Sequence, residues 1–404
     1  MKVLYLHQYF QTNKSAGGTR SYEFSKHLAK KGYEVSIITG NEVVDEAIDE
    51  NIKIYSTKTK YSNKMGFVKR ITSFFDYIYK SINIGIKIKD IDVVFATSTP
   101  LTIGIPGYIL SKVKKAKFIF EVRDVWPDVP IELGFIKNKL VIHLLKNFEK
   151  FIYKKADQII TLSPGMYDNL VKKGVDESKL SMITNLSNIY LYENIKNIES
   201  IKSEIGLNND KFTCIHPGAM GFVNGLDYVL DVAKETIKVD KDIEFILIGE
   251  GKEKEHLIER KEKENLYNVK ILDSLPKEKV VRLIKSSDIG IMCVRDYKIL
   301  EDNSANKFFD FLAAGLPIMI NYGGWQKKAL ESNECGYSCK YSNPIEMAKK
   351  ILYLKQNREE LSKMKINSTN LAKCEYSTDR CLQKLDEVFL NIYRKYVAIV
   401  EKSN

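Results

Sequence analysis

The sequence is poor in the residues that build metal centres and disulfide frameworks. Its 404 residues include six cysteines, no two of which form a C-x-x-C pair, and five histidines that occur singly. Isolated histidines lack the paired spacing of a zinc site, and cysteines without such pairs are typical of a reduced, cytoplasmic protein. We therefore expect chemistry that uses no metal and no other cofactor.

The sequence also lacks an apolar run long enough to span a bilayer, which needs about 18 residues or more. The stretch from Met1 to Phe10 turns polar too early for a signal peptide. We expect a protein that is neither exported nor integral to a membrane.

Positive charge is concentrated in the first half of the chain. Residues 1–190 contain 29 Lys and Arg against 19 Asp and Glu, whereas residues 191–404 contain 34 against 33. Such an excess favours an acidic partner, and no DNA- or RNA-binding motif accompanies it. We expect that partner to be an anionic membrane surface and not a nucleic acid.

Residues 58–89 combine basic residues with apolar ones at near-helical spacing. The apolar set consists of Phe67, Ile71, Phe74, Phe75, Ile78 and Ile82. Such a segment can lie in a membrane interface, or it can bury its apolar face in the core, and the sequence leaves both open. The basic run SKVKKAK at 111–117 lies in the same half and favours the membrane.

Strand and helix patterns alternate along the whole chain. This alternation predicts an α/β protein with two doubly wound, Rossmann-like domains facing each other across a cleft. We expect the first domain at residues 1–190, a linker at 191–204 and the second domain at 205–376. A final helix within 377–404 is expected to cross back onto the first domain.

Two loops in the first half hold candidate residues. Gly17 and Gly18 follow the strand KVLYLHQYF and would let the backbone approach a ligand closely, although a plain tight turn is equally possible. Thr19 can cap the helix that follows. Arg123 and Asp124 follow the strand KFIFEV, at the strand end where open α/β sheets collect ligands, although a salt bridge closing the sheet edge is the alternative.

The turn HPGAMGFVNG starts the second domain. Gly218, Gly221 and Gly225 follow a strand and precede a helix, so their backbone amides could cradle a phosphate.

The segment SANKFFDFLAAGLPI at 304–318 is the most informative part of the sequence. It predicts a helix from Asn306 to Ala314, stopped by Gly315 ahead of the strand IMI. A ligand above the helix start would meet backbone N–H groups, the Asn306 amide, the Lys307 ammonium and, one turn deeper, the Asp310 carboxylate. That set suits a sugar nucleotide, although an ordinary solvated helix start is an equal alternative.

The run NKFFDFLAAGLPI resembles the donor-site signature of retaining, GT-B-fold, family 4 glycosyltransferases. It is most similar to the capsule and O-antigen branch that transfers N-acetyl-fucosamine-type sugars, in which a segment like RDVWP at 123–127 faces the cleft from the acceptor domain. The resemblance implies that Asp310 binds the nucleotide ribose. It also implies a carboxylate on the donor sugar, assigned to Asp302 by spacing, with Glu301 and Asn303 as alternatives.

The resemblance further implies which residues hold the donor diphosphate. The first glycine-rich loop, here Gly17 and Gly18, covers the phosphates in that family. The turn at 216–225 usually contains an Arg and a Lys, but this sequence has Met220 and Asn224 there. The cationic contacts are therefore expected from Lys307 and Arg295, with Gly218, Gly221, Asn224 and Asn306 completing the donor site.

The implied reaction is retaining transfer of a hexosyl unit from a UDP-sugar, such as UDP-N-acetyl-fucosamine, to a lipid-pyrophosphate-linked saccharide. The implied setting is capsule or O-antigen polysaccharide synthesis at the cytoplasmic face of the membrane. Asp124, with Arg123 beside it, would orient the acceptor or stabilise charge in the transition state. Two alternatives stay open: a nucleotide-sugar epimerase of the same fold, for which His216 is the best-placed histidine, and a non-catalytic basic membrane-binding scaffold.

Overall fold

The computed structural model describes residues 1–12, 19–41, 49–60 and 65–401. The chain divides into two compact units, Met1–Thr184 with Asp379–Asn404 and Asn185–Thr378. Each unit is built on one parallel sheet, so the prediction of two Rossmann-like α/β domains is confirmed. Residues 191–204, suggested as a linker by the sequence, lie in the second unit.

The first unit contains a seven-stranded sheet in the order β3-β2-β1-β4-β5-β6-β7. Its strands are β1 (Lys2–Leu6), β2 (Glu34–Thr39), β3 (Ile52–Ser56), β4 (Val93–Thr97), β5 (Lys117–Val122), β6 (Gln158–Thr161) and β7 (Leu180–Met182). The central strands are almost continuously apolar and buried, as parallel strands covered on both faces are. Strand β3 was not predicted from the sequence, because it is a half-exposed edge strand with alternating polarity.

Helices cover this sheet and hold its strand ends in place. They are α1 (Arg20–Lys30), α2 (Phe67–Lys87), α3 (Gly104–Lys114), α4 (Asp128–Glu132), α5 (Lys139–Lys155) and α6 (Pro164–Lys172). A buried ion pair ties α1 to β5, with Nε of Arg20 2.8 Å from Oε1 of Glu121. Thr19 precedes α1, but within the described part of the chain its side chain makes no capping hydrogen bond, contrary to expectation.

The second unit contains a six-stranded sheet in the order β10-β9-β8-β11-β12-β13. Its strands are β8 (Phe212–Pro217), β9 (Ile243–Ile248), β10 (Val269–Leu272), β11 (Ile289–Met292), β12 (Ile318–Ile320) and β13 (Gly336–Ser338). Its helices are α7 (Ile189–Glu193), α8 (Ile201–Glu204), α9 (Asp227–Ile237), α10 (Lys254–Lys263), α11 (Lys277–Lys285), α12 (Asn306–Ala314), α13 (Gly324–Ser332), α14 (Pro344–Gln356) and α15 (Arg358–Leu371). The strand order reverses direction between β8 and β11, which is where open parallel sheets bind ligands.

The chain ends in helix α16 (Thr378–Glu401), which packs on the first unit as expected. Nε2 of His27 lies 2.8 Å from the Asp386 carboxylate, and the Phe389 ring packs edge-on against Tyr33. The chain enters and leaves the second unit at neighbouring points, because Ser187 forms a parallel bridge with Ser377.

Helix α12 has the bounds that the sequence predicted, and its apolar faces fix it firmly. Phe308 and Phe309 are fully buried and pack against Trp325 and Tyr376. Phe311 lies over Gly290 of β11, where even a Cβ atom would come within 2.4 Å of the ring. The polar first turn of α12 is therefore held near the point between β8 and β11 where the strand order of the sheet changes direction.

Candidate functional site

The centre of the site is a contact between Lys307 and His216. Lys307 lies in the first turn of α12, and its Nζ is 2.9 Å from Nε2 of His216, at the end of β8. The Nδ1 atom of His216 is 3.0 Å from the carbonyl oxygen of Ile291. Since a carbonyl can only accept, the ring proton belongs on Nδ1, and Nε2 accepts from the ammonium. Burial, with the nearby Lys307 cation, holds the pKa of His216 well below its usual value, so the ring stays neutral.

The Lys307 ammonium lies where a phosphate could reach it. A Cβ atom built on Gly218 would lie 3.4 Å from Nζ of Lys307, so the cation borders the turn after β8. Burial lowers the pKa of Lys307 to about 8, because removal from water disfavours the charged form. Helix α12 starts without a side-chain cap in the described structure, which leaves its first N–H groups to an external acceptor. The cation and the helix start together form an anion-binding arrangement.

The glycine turn is shaped by close backbone contacts. The Gly218 N–H donates to the Ile248 carbonyl at 2.8 Å, and the Met220 N–H donates to the Glu250 carbonyl at 2.9 Å. The Gly225 N–H likewise donates to the Phe222 carbonyl at 3.3 Å, so the Gly218 and Gly225 amides, which were expected to cradle a phosphate, are bonded within the protein instead. A side chain on Gly249 would meet the Gly218 carbonyl oxygen at 2.0 Å. The turn can therefore lie directly on the end of β9 only because residue 249 has no Cβ.

Arg295 and Asn224, both assigned to the donor by the sequence, hold this turn from within. Nε of Arg295 donates to the Phe222 carbonyl at 2.7 Å, and its guanidinium lies 4.0 Å from the centre of the Phe222 ring. Its Nη2 is 3.4 Å from the Glu253 carboxylate. The Asn224 side-chain amide donates to the Ala219 carbonyl at 2.8 Å. Of the two cations assigned to the diphosphate, Lys307 is the one beside Gly218, whereas Arg295 braces the turn.

Asp310 lies one turn beyond Lys307 and is hydrogen-bonded to Tyr192. Burial raises the pKa of the Asp310 carboxyl to about 6, against the opposing effects of Lys277 and the Tyr192 hydroxyl. Tyr192 belongs to α7 and is almost fully buried. Tyr192 was not predicted as a site residue, because residues 187–210 lack a strong period and suggest only a linker and a surface helix.

The three candidates for the sugar-binding carboxylate lie at the end of a 3₁₀ turn, Lys298–Asp302. Oε2 of Glu301 is 2.5 Å from the Lys298 ammonium and borders Gly323 at the start of α13. The Asn303 amide donates to the Leu300 carbonyl at 2.7 Å, and the Asn303 carbonyl accepts from the Trp325 indole at 2.9 Å. The side chains of Glu301 and Asn303 thus make contacts within the protein. The assignment of Asp302 to the donor sugar continues to rest on its spacing from Asp310.

In the first unit, Arg123 and Asp124 follow β5 and contact different residues. Nη1 of Arg123 is 3.4 Å from Nε2 of His7, whereas the exposed Asp124 carboxylate accepts from the Thr99 hydroxyl at 2.9 Å. They form no mutual ion pair in the described structure, so the alternative of a salt bridge between them is wrong. His7 is buried, and burial together with Arg123 holds its pKa well below the usual value.

The remaining residues that the sequence suggested for the site are less informative. Gly17 and Gly18 lie outside the described residues. Asn306 is exposed at the first position of α12, and Gly221 precedes a 3₁₀ turn formed by Phe222–Asn224. Across the described ranges, no group of three or more His, Cys, Asp or Glu residues is arranged to hold a metal ion. No helix in the same ranges has the length and apolar character to cross a membrane.

Comparisons with known proteins cover nearly the whole chain. Residues 17–187 match the family model described as Glycosyltransferase Family 4, and residues 197–371 match Glycosyl transferases group 1.

Two relatives and one solved structure show how far the similarity extends. The chain is 22% identical over 392 residues to the uncharacterized glycosyltransferase MJ1069 of Methanocaldococcus jannaschii, covering 92% of this chain and 94% of that protein. It is 23% identical over 193 residues to the putative colanic acid biosynthesis glycosyl transferase WcaI of Escherichia coli, covering 46% of this chain and 47% of that protein. The structure of Anabaena HepE in complex with UDP-glucose superposes with a TM-score of 0.71 at 14% identity, covering 96% of this chain and 99% of that one.

Proposed function

We propose, from the premise that this chain is a GT-B glycosyltransferase of the group 1 type, that it transfers a sugar from a UDP-sugar to a lipid-linked saccharide with retention of configuration. One observation carries the proposal. Lys307 and Asp310 are three residues apart on α12, so their backbone positions differ by about 4.5 Å along the helix axis. A cation for a diphosphate and a carboxylate for ribose hydroxyls at that spacing fit a nucleoside diphosphate.

The comparisons support the choice of nucleotide and of pathway. Anabaena HepE, which has the same fold, was solved with UDP-glucose. WcaI is described as a putative colanic acid biosynthesis glycosyl transferase, which favours polysaccharide synthesis for this chain as well. The donor-site resemblance favours an N-acetylamino sugar such as N-acetyl-fucosamine and a capsule or O-antigen product.

The chemistry assigned to the site is electrostatic stabilisation more than proton relay. Lys307 and the start of α12 would stabilise the negative charge that develops on the leaving diphosphate. The proton of the acceptor hydroxyl would pass to a donor β-phosphate oxygen on the face of attack. Asp302 would hold the donor sugar, and Asp124 with Arg123 would orient the acceptor hydroxyl. Because Lys307 supplies the positive charge, the proposal requires no metal.

The proposed acceptor is a lipid-pyrophosphate-linked saccharide at the cytoplasmic face of a membrane. The protein would reach it as a peripheral enzyme, held by the excess positive charge of residues 1–190.

The environment of His216 disfavours the epimerase alternative. An epimerase needs groups that exchange protons with the sugar, and His216 was the best-placed histidine in the sequence. Its Nδ1 is occupied by the Ile291 carbonyl and its Nε2 by Lys307, so neither ring nitrogen is available for that exchange.

The test is to incubate the purified protein with UDP-N-acetyl-hexosamines and to follow UDP release and sugar epimerisation separately. We expect slow UDP release without an acceptor and UDP binding that exceeds that of GDP, ADP and TDP in calorimetry. Lys307→Met should weaken UDP binding about tenfold to a hundredfold and slow UDP release, whereas Lys327→Met, on the neighbouring helix α13, should do neither. Free 2-epimer would favour the epimerase, and a protein that binds none of the four nucleotides would overturn the proposal.

A further inference from the structure

Helix α5 presents a second apolar stripe to solvent, opposite the one that it buries. Leu140, Leu144 and Phe151 expose 67%, 58% and 40% of their surface. At about 100° per residue these three lie within roughly 40° of each other around the helix axis. The buried face consists of Glu149, Ile152 and Tyr153. Surface helices of globular proteins normally place polar residues on the outer face, so this stripe needs an explanation.

Lysines flank this stripe, and α5 itself has no exposed acidic side chain. Residues 135–155 contain a single acidic residue, Glu149, which is buried and lies 2.6 Å from the Lys173 ammonium. The exposed apolar side chains and the lysines together form a surface that we call the α5 surface. Its members are Phe135, Lys137, Lys139, Leu140, Val141, Leu144, Lys146, Lys150, Phe151 and Lys154.

The α5 surface continues onto helix α3. The Phe151 ring packs edge-on against Tyr108 of α3 at 5.1 Å, and Lys155 lies over both rings. Nζ of Lys112, also on α3, lies 5.7 Å from the centre of the Tyr108 ring. The basic run at 111–117, noted in the sequence, therefore borders the same surface.

Helix α2, for which the sequence left open both a membrane role and core packing, is a weaker candidate. It turns Tyr77 and Ile78 into the core, and the Tyr77 hydroxyl donates to the Ile38 carbonyl at 2.8 Å. Its outer face includes an Asp76–Lys80 pair at 2.8 Å, so part of its positive charge is neutralised. On α5, Lys146 lies 4.0 Å from the Asp128 carboxylate of α4, but no acidic residue of α5 itself is exposed beside its lysines.

We propose that the α5 surface docks this protein on a bilayer that contains anionic phospholipids. The inference rests on the proposed function in one respect, since that function places the acceptor in a membrane. Leucine and phenylalanine side chains can enter the interfacial layer while the lysines bind lipid phosphates. A nucleic acid would leave the apolar stripe in water, and a second copy would oppose one set of lysines with another.

The experiment is co-sedimentation with vesicles of pure phosphatidylcholine and of phosphatidylcholine with phosphatidylglycerol. We expect binding to the mixed vesicles at about 0.1 M salt and at least tenfold weaker binding at about 0.5 M. Leu140→Ser with Leu144→Ser, and separately Lys146→Glu with Lys150→Glu, should each reduce binding at least tenfold. Ile366→Ser, at an equally exposed position of the second unit, is the matched control and should bind as the parent does.

Two outcomes overturn the docking proposal. One is unchanged vesicle binding by both double variants when their melting temperatures equal that of the parent. The other is that the Leu140→Ser/Leu144→Ser variant still binds vesicles but no longer self-associates in sedimentation equilibrium. The α5 surface would then be an interface between copies of this chain. Phe75→Ser on α2 tests the competing helix in the same assay.

UDP binding by the same variants separates this proposal from the proposed function. A protein that binds vesicles through α5 but binds no nucleotide would refute the enzyme and keep the docking surface. A protein that binds UDP but does not bind vesicles would refute the docking surface and keep the proposed enzyme.

Discussion

The Lys307 ammonium is hydrogen-bonded to a histidine that cannot compete with it for charge. His216 is buried, donates its Nδ1 proton to the Ile291 carbonyl and accepts from Lys307 at 2.9 Å through Nε2. The histidine thus orients the cation toward Gly218 while staying neutral. A cation held in this way is pre-organised for an anionic ligand and needs little rearrangement to bind it.

Removing the Lys307 charge should weaken nucleotide binding more than it weakens the fold. Lys307→Met keeps most of the side-chain volume, and charge-assisted hydrogen bonds contribute about 1.5–3 kcal/mol. We expect UDP affinity to fall roughly tenfold to a hundredfold in calorimetry. Lys327→Met should bind like the parent, and an unchanged affinity for Lys307→Met would remove this residue from the phosphate site.

UDP binding should weaken in alkaline solution. The pKa of Lys307 is about 8, so the side chain is mostly charged at pH 7 and mostly neutral at pH 9. Because a diphosphate binds the charged form, affinity should fall up to about tenfold per pH unit above pH 8. Isothermal titration across pH 6.5–9.5 measures this, and Lys307→Met should flatten the alkaline limb. A parent protein whose affinity is constant up to pH 9.5 would contradict the assignment.

Asp310→Asn should weaken UDP binding about tenfold to a hundredfold without destabilising the protein. In the folded protein the pKa of Asp310 is about 6, above the usual Asp value. The ionised form therefore lowers stability at neutral pH, and this cost disappears in acid, where the carboxyl is protonated. The variant should therefore melt at the parent temperature or above at pH 7. UDP affinity of the parent should also fall as the pH drops through about 6, where the carboxylate is protonated. Equal UDP affinity of parent and variant would assign Asp310 to structure alone.

Tyr192 supplies a matched control for the Asp310 prediction. Its hydroxyl lowers the pKa of Asp310, so Tyr192→Phe should move the acidic loss of UDP affinity to higher pH. Tyr190→Phe alters the same helix at an exposed position and should leave the pH profile in place.

Asp124→Ala should reduce turnover and leave UDP binding nearly unchanged. Asp124 belongs to the first unit, whereas Lys307 and Asp310 belong to the second. Removal of a group that acts on the acceptor in the transition state lowers kcat and kcat/KM together. We expect both constants to fall about a hundredfold or more. Since the Asp124 partner is the Thr99 hydroxyl and not Arg123, the substitution leaves no buried cation behind. A folded variant that transfers sugar at the full rate would refute the role.

Arg295→Lys should destabilise the second unit, although the charge is kept. A lysine cannot reproduce the Nε contact to the Phe222 carbonyl together with stacking on the Phe222 ring. We expect a loss of about 1–3 kcal/mol of unfolding free energy, measured by denaturant titration. Arg358→Lys, which changes an arginine over Phe212 at an exposed position, should cost less. Full stability combined with lost UDP binding would instead indicate a direct phosphate contact.

The parts of the structure that follow from local signals were predictable from the sequence. Helix α12 was predicted to the residue because Gly315, at a φ of +74°, ends it with a left-handed conformation that glycine favours. The buried strands were predicted because parallel sheets need continuous apolar runs. The return of the last helix to the first unit was expected because folds of two such domains usually end in this way.

Contacts between distant parts of the chain were not predictable in this way. The Lys307–His216 pair joins residues 91 positions apart, and the Arg123–His7 pair joins residues 116 positions apart. Neither pair leaves a periodic or spacing signal. The sequence also reveals the charge of Arg295 but not the direction of its side chain, which the structure turns toward Phe222.

The neighbouring entry and exit points of the second unit make it exchangeable as one block. The Ser187 N–H donates to the Tyr376 carbonyl at 2.8 Å, so the two ends of residues 185–378 already lie together. In the remainder of the chain, the Thr184 hydroxyl is 3.8 Å from the Cys381 sulfur, so removing the block leaves ends that are also adjacent. Chain segments with close ends are the ones that recombination can insert or replace without disturbing the host domain. Under the proposed function, in which the donor site lies in the second unit, one genetic exchange of this block would change the donor and keep the acceptor.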